Sequence, residues 1–351
     1  MSLYFTKLRI HSKLLKLFKL QIIMNRILII GYGSIGKRHV RNILKYTNSQ
    51  IIICTKRSDL DFKTNRVIIT DSLDYCLSQK PNIGFICNET SCHIQIALKL
   101  AKAGLDLFLE KPLSDSIKGV KQLEKIVKQK KIITQMGHHM RFHDCIIKIR
   151  KLIKQNKIGR IVSIQVENGS YLPDWHPNED YRKSYAAKKR LGGGIILTQI
   201  HDIDYLYWFF GNPKSIFSFS GKLSDLKISS EDYSSSIIQF PNRITAELHL
   251  DFFQGPEYRG CKIKGTNGII TWNSIDNKIK IFNNRNKKWE IILNLTNYER
   301  NQLYVDEIKH FFKCVKNRKK TINPLDDGIK TLNIALTMKK SSRTNKLVEL
   351  K

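Results

Sequence analysis

The chain has 351 residues, 41% hydrophobic and 26% charged, with a net charge of +31. That length suits two domains with sizeable cores, and no apolar run approaches the ~20 residues of a bilayer-spanning helix. The basic residues are scattered through almost every segment of a chain also rich in Ile and Asn, which reads as overall compositional bias. No specific nucleic-acid surface is expected, although a diffuse positive field draws anionic ligands such as nucleotides.

Residues 1–24 contain Lys7, Arg9, Lys13, Lys16 and Lys19, no acidic residue, and leucines near helical spacing. They read as a membrane-surface or targeting helix, or as sequence upstream of a translation start at Met24. The second reading is preferred, because the segment lacks the compact apolar core and cleavage site of a secretory signal. The next run, Ile27–Ile30, suits a strand buried on both faces and leads directly into Gly31, Gly33 and Gly36 at G-x-G-x-x-G spacing. Gly31 permits a tight turn, Gly33 admits a pyrophosphate, and Gly36 lets the following helix pack on the strand. A helix from Ser34, with Ile35 and Gly36 in its first turn, then offers free N–H groups to phosphates. The pattern predicts a dinucleotide site.

Strands and helices alternate from there to about residue 140. Helix 34–46 is followed by strands Ile51–Cys54 and Val67–Thr70, helix Ser72–Ser78, strand Ile83–Cys87 and helix His93–Ala103, stopped by Gly104. Strand Leu107–Leu109, helix Ile117–Lys128 and strand Ile132–Gln135 complete the series, predicting a parallel, doubly wound Rossmann domain over 25–144. After 145 the texture changes to helix Cys145–Lys154, strand Ile161–Asn168, one helix from Gly192 to Phe210, and seven short strands between Ser215 and Leu293. Two closing helices near 302–316 and 326–339 make the span 145–351 an α+β domain with a mostly antiparallel open sheet. Seven cysteines without a C-x-x-C pair argue against a disulfide framework and fit a reducing cytoplasm.

The second strand ends without the acidic residue that usually binds an NAD ribose. Lys56 and Arg57 stand there instead and favour the 2′-phosphate of NADP, while nearby Asp59 keeps NAD open. Asn88 and Thr90, after the fourth strand, are candidates to line the nicotinamide ribose, and His93 reads as a helix residue without chemistry. His138, His139 and His143 lack the carboxylate or Cys spacing that would complete a metal site, so no metal is expected.

Strand five runs into Glu110-Lys111-Pro112, and here the chain resembles the Gfo/Idh/MocA family of NAD(P)-dependent sugar oxidoreductases. Ordered similarities continue through Met140-Arg141-Phe142-His143, the stretch from Asp180-Tyr181-Arg182 to Gly192-Gly193-Gly194, His201, and Asp327-Gly328. The resemblance implies a Lys111 ammonium between nicotinamide and substrate, with Glu110 in support and Pro112 aiming the turn. A partly desolvated lysine can shuttle protons near neutral pH. His201 is the implied acid/base, with a core histidine as the alternative reading. Thr198, three residues earlier on one helical face, is expected to orient substrate. The family commonly carries an Asp and a His four apart here with a Gly between, and this chain departs from that pattern, leaving the acid's position open. Asp202 and Asp204 are expected to orient the imidazole or to flank the helix, with Asp204 a candidate substrate contact. Tyr181 and Arg182 are the preferred sugar contacts in a segment that also suits a subunit interface.

The resemblance further implies a homo-oligomer, dimer or tetramer, packed through the second sheet. The segment from Tyr171 to Tyr205 is most similar to members linked to surface-polysaccharide or nonulosonic-acid sugars, including nucleotide-sugars. The rival readings are a reductase of a non-sugar carbonyl and a non-catalytic cofactor-binding sensor.

Overall fold

A computed structural model describes residues 25–57, 60, 62–296 and 298–350. The expectations for residues 1–24, and for Asp59, lie outside these described residues.

Six strands form the first sheet: β1 (Arg26–Ile30), β2 (Gln50–Cys54), β3 (Val67–Thr70), β4 (Ile83–Ile86), β5 (Asp106–Leu109) and β6 (Thr134–Met136). Their spatial order is β3-β2-β1-β4-β5-β6 and every pairing is parallel. The connecting helices are α1 (Ser34–Tyr46), α2 (Leu73–Ser78), α3 (His93–Lys102) and α4 (Val120–Lys130). All four residues of β4 and of β5 are buried, as continuous apolar runs flanked by helices require. Several boundaries in this domain shift by one residue, and two elements differ from expectation by more. The helix expected at 117 begins only at Val120, because Gly119 adopts φ +77° and breaks the run before it. The sixth strand is displaced to Thr134–Met136, the register that pairs Leu107–Leu109.

The strand order reverses between β1 and β4, so the loops after them part and leave a crevice at their carboxyl ends. Gly31 and Asn88 face one another across it, close enough that a Cβ on Gly31 would lie 2.8 Å from the Asn88 backbone.

Helix α5 (Asp144–Lys154) leads to β7 (Ile161–Gly169), then to α6 (Ile195–Thr198) and α7 (Ile200–Phe210). Strands β8 (Ser215–Gly221), β9 (Tyr233–Phe240), β10 (Ile244–Asp251), β11 (Tyr258–Gly265), β12 (Gly268–Asn273), β13 (Lys278–Asn283) and β14 (Lys288–Asn294) follow. Helices α8 (Arg300–Asn317) and α9 (Leu325–Thr344) precede the short β15 (Val348–Glu349). The second sheet has the order β14-β13-β12-β11-β7-β10-β9-β8-β15, antiparallel except between β7 and β10. Alternation in β9 and β10 gives it one buried face. On the other, Phe217 and its cross-strand partner Ile237 remain 46% and 47% exposed.

Helix α8 returns to the first sheet. Phe311 and Phe312 pack edge-on against Phe85, with ring centroids 5.9 and 6.2 Å away, and Phe311 does the same against Phe108 at 5.6 Å. A helix from the far end of the chain thereby completes the packing on the first sheet.

Candidate active site

The turn after β1 is built for an anion. Gly31 takes φ +88° and its N–H donates to the Cys54 carbonyl at 3.0 Å, fixing the turn to the end of β2. Gly33 caps α1 without a side chain and has open space where a Cβ would point. The first-turn N–H groups of Ser34, Ile35 and Gly36 therefore meet a clear approach. A Cβ on Gly36 would collide with the Gly31 carbonyl, so only glycine lets α1 lie this close to the turn. Lys56 and Arg57 are exposed just beyond β2, and Arg57 and Arg41 lie close enough to Tyr32 to act on its phenol.

On the opposite wall, Asn88 keeps a buried Oδ1 with no hydrogen-bond partner among the described residues. The ring nitrogens of His93 lie 3.0 Å from the Asn88 carbonyl and 2.8 Å from the Pro112 carbonyl. His93 is thus a tie between the loops after β4 and β5, in keeping with a role outside the chemistry. Thr90 is buried beneath Gly192, where a Cβ would lie 2.8 Å from the Thr90 side chain.

Lys111 projects from the end of β5, and its Nζ donates to the Thr198 carbonyl at 2.6 Å. A break in the helix makes that carbonyl available. The continuous helix expected from Gly192 to Phe210 is two helices, parted at Gln199 (φ −98°, ψ +31°), and the Asp202 N–H bonds to Gln199 rather than Thr198. Thr198 and His201 therefore do not share one regular helical face. Burial lowers the Lys111 ammonium to about 8, opposed by Glu110 and aided by Arg259 and Arg300.

His201 stands in the same cluster. Its ring centroid is 4.1 Å from that of His139 and 5.6 Å from that of His138, both edge-on. Burial, then the charges of His139 and Lys111, hold His201 well below the usual histidine range, so the imidazole is neutral and able to accept a proton. Its Nδ1 and the Thr198 Oγ1 are buried without hydrogen-bond partners among the described residues, although the Tyr185 phenol lies close to the Thr198 side chain. Such orphaned groups around one ammonium are what a polar ligand would satisfy, and with the open glycine turn they fit a nicotinamide dinucleotide beside a hydroxylated substrate.

Three expected substrate contacts are engaged elsewhere. Asp204 is fully buried and accepts from Arg141 Nε and Nη2 at 2.8 and 2.7 Å, with Thr331 at 3.3 Å. Arg141 also reaches Asp327 at 2.7 Å, so the Met-Arg-Phe-His and Asp-Gly segments meet as structural braces. Arg182 is exposed and pairs with Asp180 at 2.8 and 2.9 Å, and the Tyr181 hydroxyl accepts the Lys227 N–H at 3.1 Å. These partners are local or reached by folding, and no spacing rule reveals them. Asp202 receives Asn168 at 2.7 Å and Arg259 at 3.2 Å.

Sequence reasoning passed over Tyr185, Arg259, Tyr304 and His139 as site residues. Burial and Glu110 push the Tyr185 phenol up, which sets it close to the Glu-Lys-Pro turn. His139 lies between His201 and Tyr304, whose ring is 4.6 Å away, and the Arg38 guanidinium covers Tyr304 at 4.3 Å. The run His138-His139 was a visible signal, weighed only as metal ligation. Among the described residues, no three His, Cys, Asp or Glu side chains converge as a metal-ligand set.

The glycine turn and the strand-end lysine both lie in the first of two segments that match known family models. A family model described as oxidoreductase family, NAD-binding Rossmann fold, matches residues 25–138, and its C-terminal alpha/beta companion matches residues 150–350. The chain belongs to the Gfo/Idh/MocA oxidoreductase family. It is an NAD(P)-dependent oxidoreductase, and its first domain is the family's NAD-binding domain. The scyllo-inositol 2-dehydrogenase (NAD(+)) of Bacillus subtilis is 23% identical over 341 residues, 93% of this chain and 96% of that protein. The uncharacterized oxidoreductase YrbE of the same organism is 29% identical over 193 residues, spanning 52% of this chain and about half (53%) of that protein. A levoglucosan dehydrogenase in complex with NADH shares the fold, with a TM-score of 0.83 at 17% identity over 93% of this chain and 99% of that one.

Proposed function

We propose that this family member transfers hydride between a nicotinamide dinucleotide and a secondary hydroxyl or ketone carbon of a sugar, with Lys111 and His201 handling the hydroxyl proton. The observation that carries this reading is the convergence, at the carboxyl end of β5, of an ammonium of lowered proton affinity with a neutral imidazole that has no hydrogen-bond partner at Nδ1 among the described residues. Dehydrogenases of inositol and levoglucosan among its relatives and structural neighbours support a polyhydroxylated substrate.

The dinucleotide, when bound, supplies the hydride acceptor or donor. Gly31, Gly33 and the first turn of α1 hold its phosphates, while Asn88 and Thr90 border the ribose. Lys111 exchanges the Thr198 carbonyl for the reacting oxygen and donates to it. His201 takes the hydroxyl proton when an alcohol is oxidised and returns it when a ketone is reduced. Lys56 and Arg57 favour NADP, because a 2′-phosphate meets two cations at the end of β2.

The finer reading is a nucleotide-sugar of surface-polysaccharide or nonulosonic-acid synthesis. The exposed Lys183, Lys189 and Arg190 support it, since they rim the segment that closes on Thr90 and suit an anionic substrate. The test is turnover with NAD+ and NADP+ against polyols, simple sugars and UDP-sugars. Reduction of NADP+ by a UDP-sugar is the expected result. Turnover confined to a non-sugar carbonyl, or none with any carbohydrate, defeats the reading.

Phe217 and Ile237, exposed on the free sheet face, support a homo-oligomer that buries this surface. The double variant Phe217→Lys, Ile237→Lys should lower the mass seen by light scattering to that of a monomer while leaving the fold intact. An unchanged oligomer mass would place the interface elsewhere. No helix among the described residues is long and apolar enough to cross a membrane.

A further inference from the structure

Glu110 precedes the strand-end lysine, yet its carboxylate turns back into the first domain. One oxygen, Oε1, accepts from His39 Nε2 at 2.6 Å, and the other, Oε2, accepts the backbone N–H of Lys111 at 3.2 Å. Room for the carboxylate exists because residue 137 is glycine, where a Cβ would lie 2.8 Å from Oε2. His39 sits on α1, five residues after the helix begins, and has no exposed surface. Phe85 and Phe108 wall it in, with ring centroids 5.4 and 5.0 Å away, and its Nδ1 has no hydrogen-bond partner among the described residues. An imidazole with one unsatisfied nitrogen in an aromatic box is costly to bury. Its Nε2 is satisfied by the carboxylate adjoining Lys111.

We propose that His39 is a positioning residue for the Lys111 ammonium, acting through Glu110, whose carboxylate it holds as an anion against the lysine. The groups facing this chain of contacts agree. Burial pushes the Glu110 carboxyl up, but the His39 hydrogen bond and charge, with Lys111, outweigh it and leave the carboxyl below its usual range. Around Lys111, Glu110 and Asp202 favour the ammonium while Arg259 and Arg300 oppose it, so Glu110 is the main support for its proton. His138, His139 and His201 lie in the same cluster with their proton affinities lowered by burial. From α8, Glu307 is near enough to Glu110 for the two to act on each other, and burial, then Glu110, push its carboxyl well up. The phenols of Tyr185 and Tyr304 are also pushed up, burial being the main cause, and stay protonated. The proton affinity of the lysine beside the substrate is thus set from the helix that also receives the cofactor phosphates.

The proposal rests on Lys111 as the proton-handling amine, so its test reads the lysine directly. Trace labelling of the full-length protein with isotopic acetic anhydride across pH, quantified by mass spectrometry of the Lys111 peptide, gives the midpoint at which that amine loses its proton. Three variants are compared with the native chain: His39→Leu removes the donor, His39→Asn carries an amide too short to reach Oε1, and His39→Gln carries one that reaches. The midpoint should fall by about one pH unit in the Leu and Asn variants. It should be kept in the Gln variant, with the same ordering in the pH profile of kcat and little change in KM. Any one folded variant decides the matter. A native midpoint in His39→Leu or His39→Asn, or a fall in His39→Gln as large as in His39→Leu, overturns the proposal. A shifted midpoint in a protein that transfers no hydride supports the His39–Glu110 coupling and defeats only the catalytic reading of Lys111.

Discussion

Replacing Lys111 with alanine is expected to cut kcat by roughly 10³-fold, the scale of a positioned proton donor, while the affinity for the dinucleotide changes little. The reason is spatial. Lys111 donates to the Thr198 carbonyl and lies close enough to His201 to act on it, whereas the proposed phosphate site is the backbone of the glycine turn, on a different strand. The same variant should lose a pH dependence. With its proton affinity lowered to about 8, Lys111 is an ammonium below that pH and an amine above it. Ketone reduction, which needs the donor, should therefore decline as pH rises through about 8 in the native enzyme, and this limb should be missing from Lys111→Ala. Stopped-flow turnover with a binding titration of NADH checks both parts. Parallel loss of folding and cofactor binding would mark a structural lysine instead.

The second large effect concerns stability. Arg141 has no exposed surface and forms two hydrogen bonds with Asp204, itself fully buried, and a third with Asp327. Arg141→Met leaves the Asp204 carboxylate without its main counter-charge, a loss on the order of 3–5 kcal/mol when one partner of a buried pair is removed. Urea unfolding should show the midpoint falling accordingly. The double variant Arg141→Met, Asp204→Asn should recover much of the deficit, because the stranded charge is gone. A loss under about 1 kcal/mol in the single variant would mean that water reaches the pair. The consequence for function is indirect. Asp204 stands three residues after His201 on α7, so Arg141 fixes the helix that carries the imidazole.

These two cases mark the limits of what could be read from one sequence. The first sheet was legible because its strands are continuous apolar runs and its helices have strong periodicity. Helix Ser34–Tyr46 and strands Val67–Thr70 and Ser215–Gly221 came out with the expected bounds. The glycine turn was legible because its chemistry is local, needing particular residue types within a few positions, whereas Glu110-Lys111-Pro112 stood out through the family resemblance. The break at Gln199 was not legible, since nothing in Ile-Ile-Leu-Thr-Gln-Ile-His opposes helix, and the group that meets the freed Thr198 carbonyl, Lys111, is 87 residues away in sequence. Asp204 read as a candidate contact because a carboxylate near a site histidine looks reactive, and only Arg141, 63 residues away in sequence, shows it to be spent on packing.

By itself, the sequence determined the class of fold and the glycine turn, both properties of short-range pattern, while its resemblance to the family nominated Lys111 and His201 as site residues. The tertiary structure alone decided which charges are neutralised, which remain open to a ligand, and that α8 crosses back to pack on the first sheet. The physical reason is that burial and pairing depend on contacts between distant segments. A carboxylate, an imidazole or an ammonium has no defined proton affinity or partner until the fold brings those segments together.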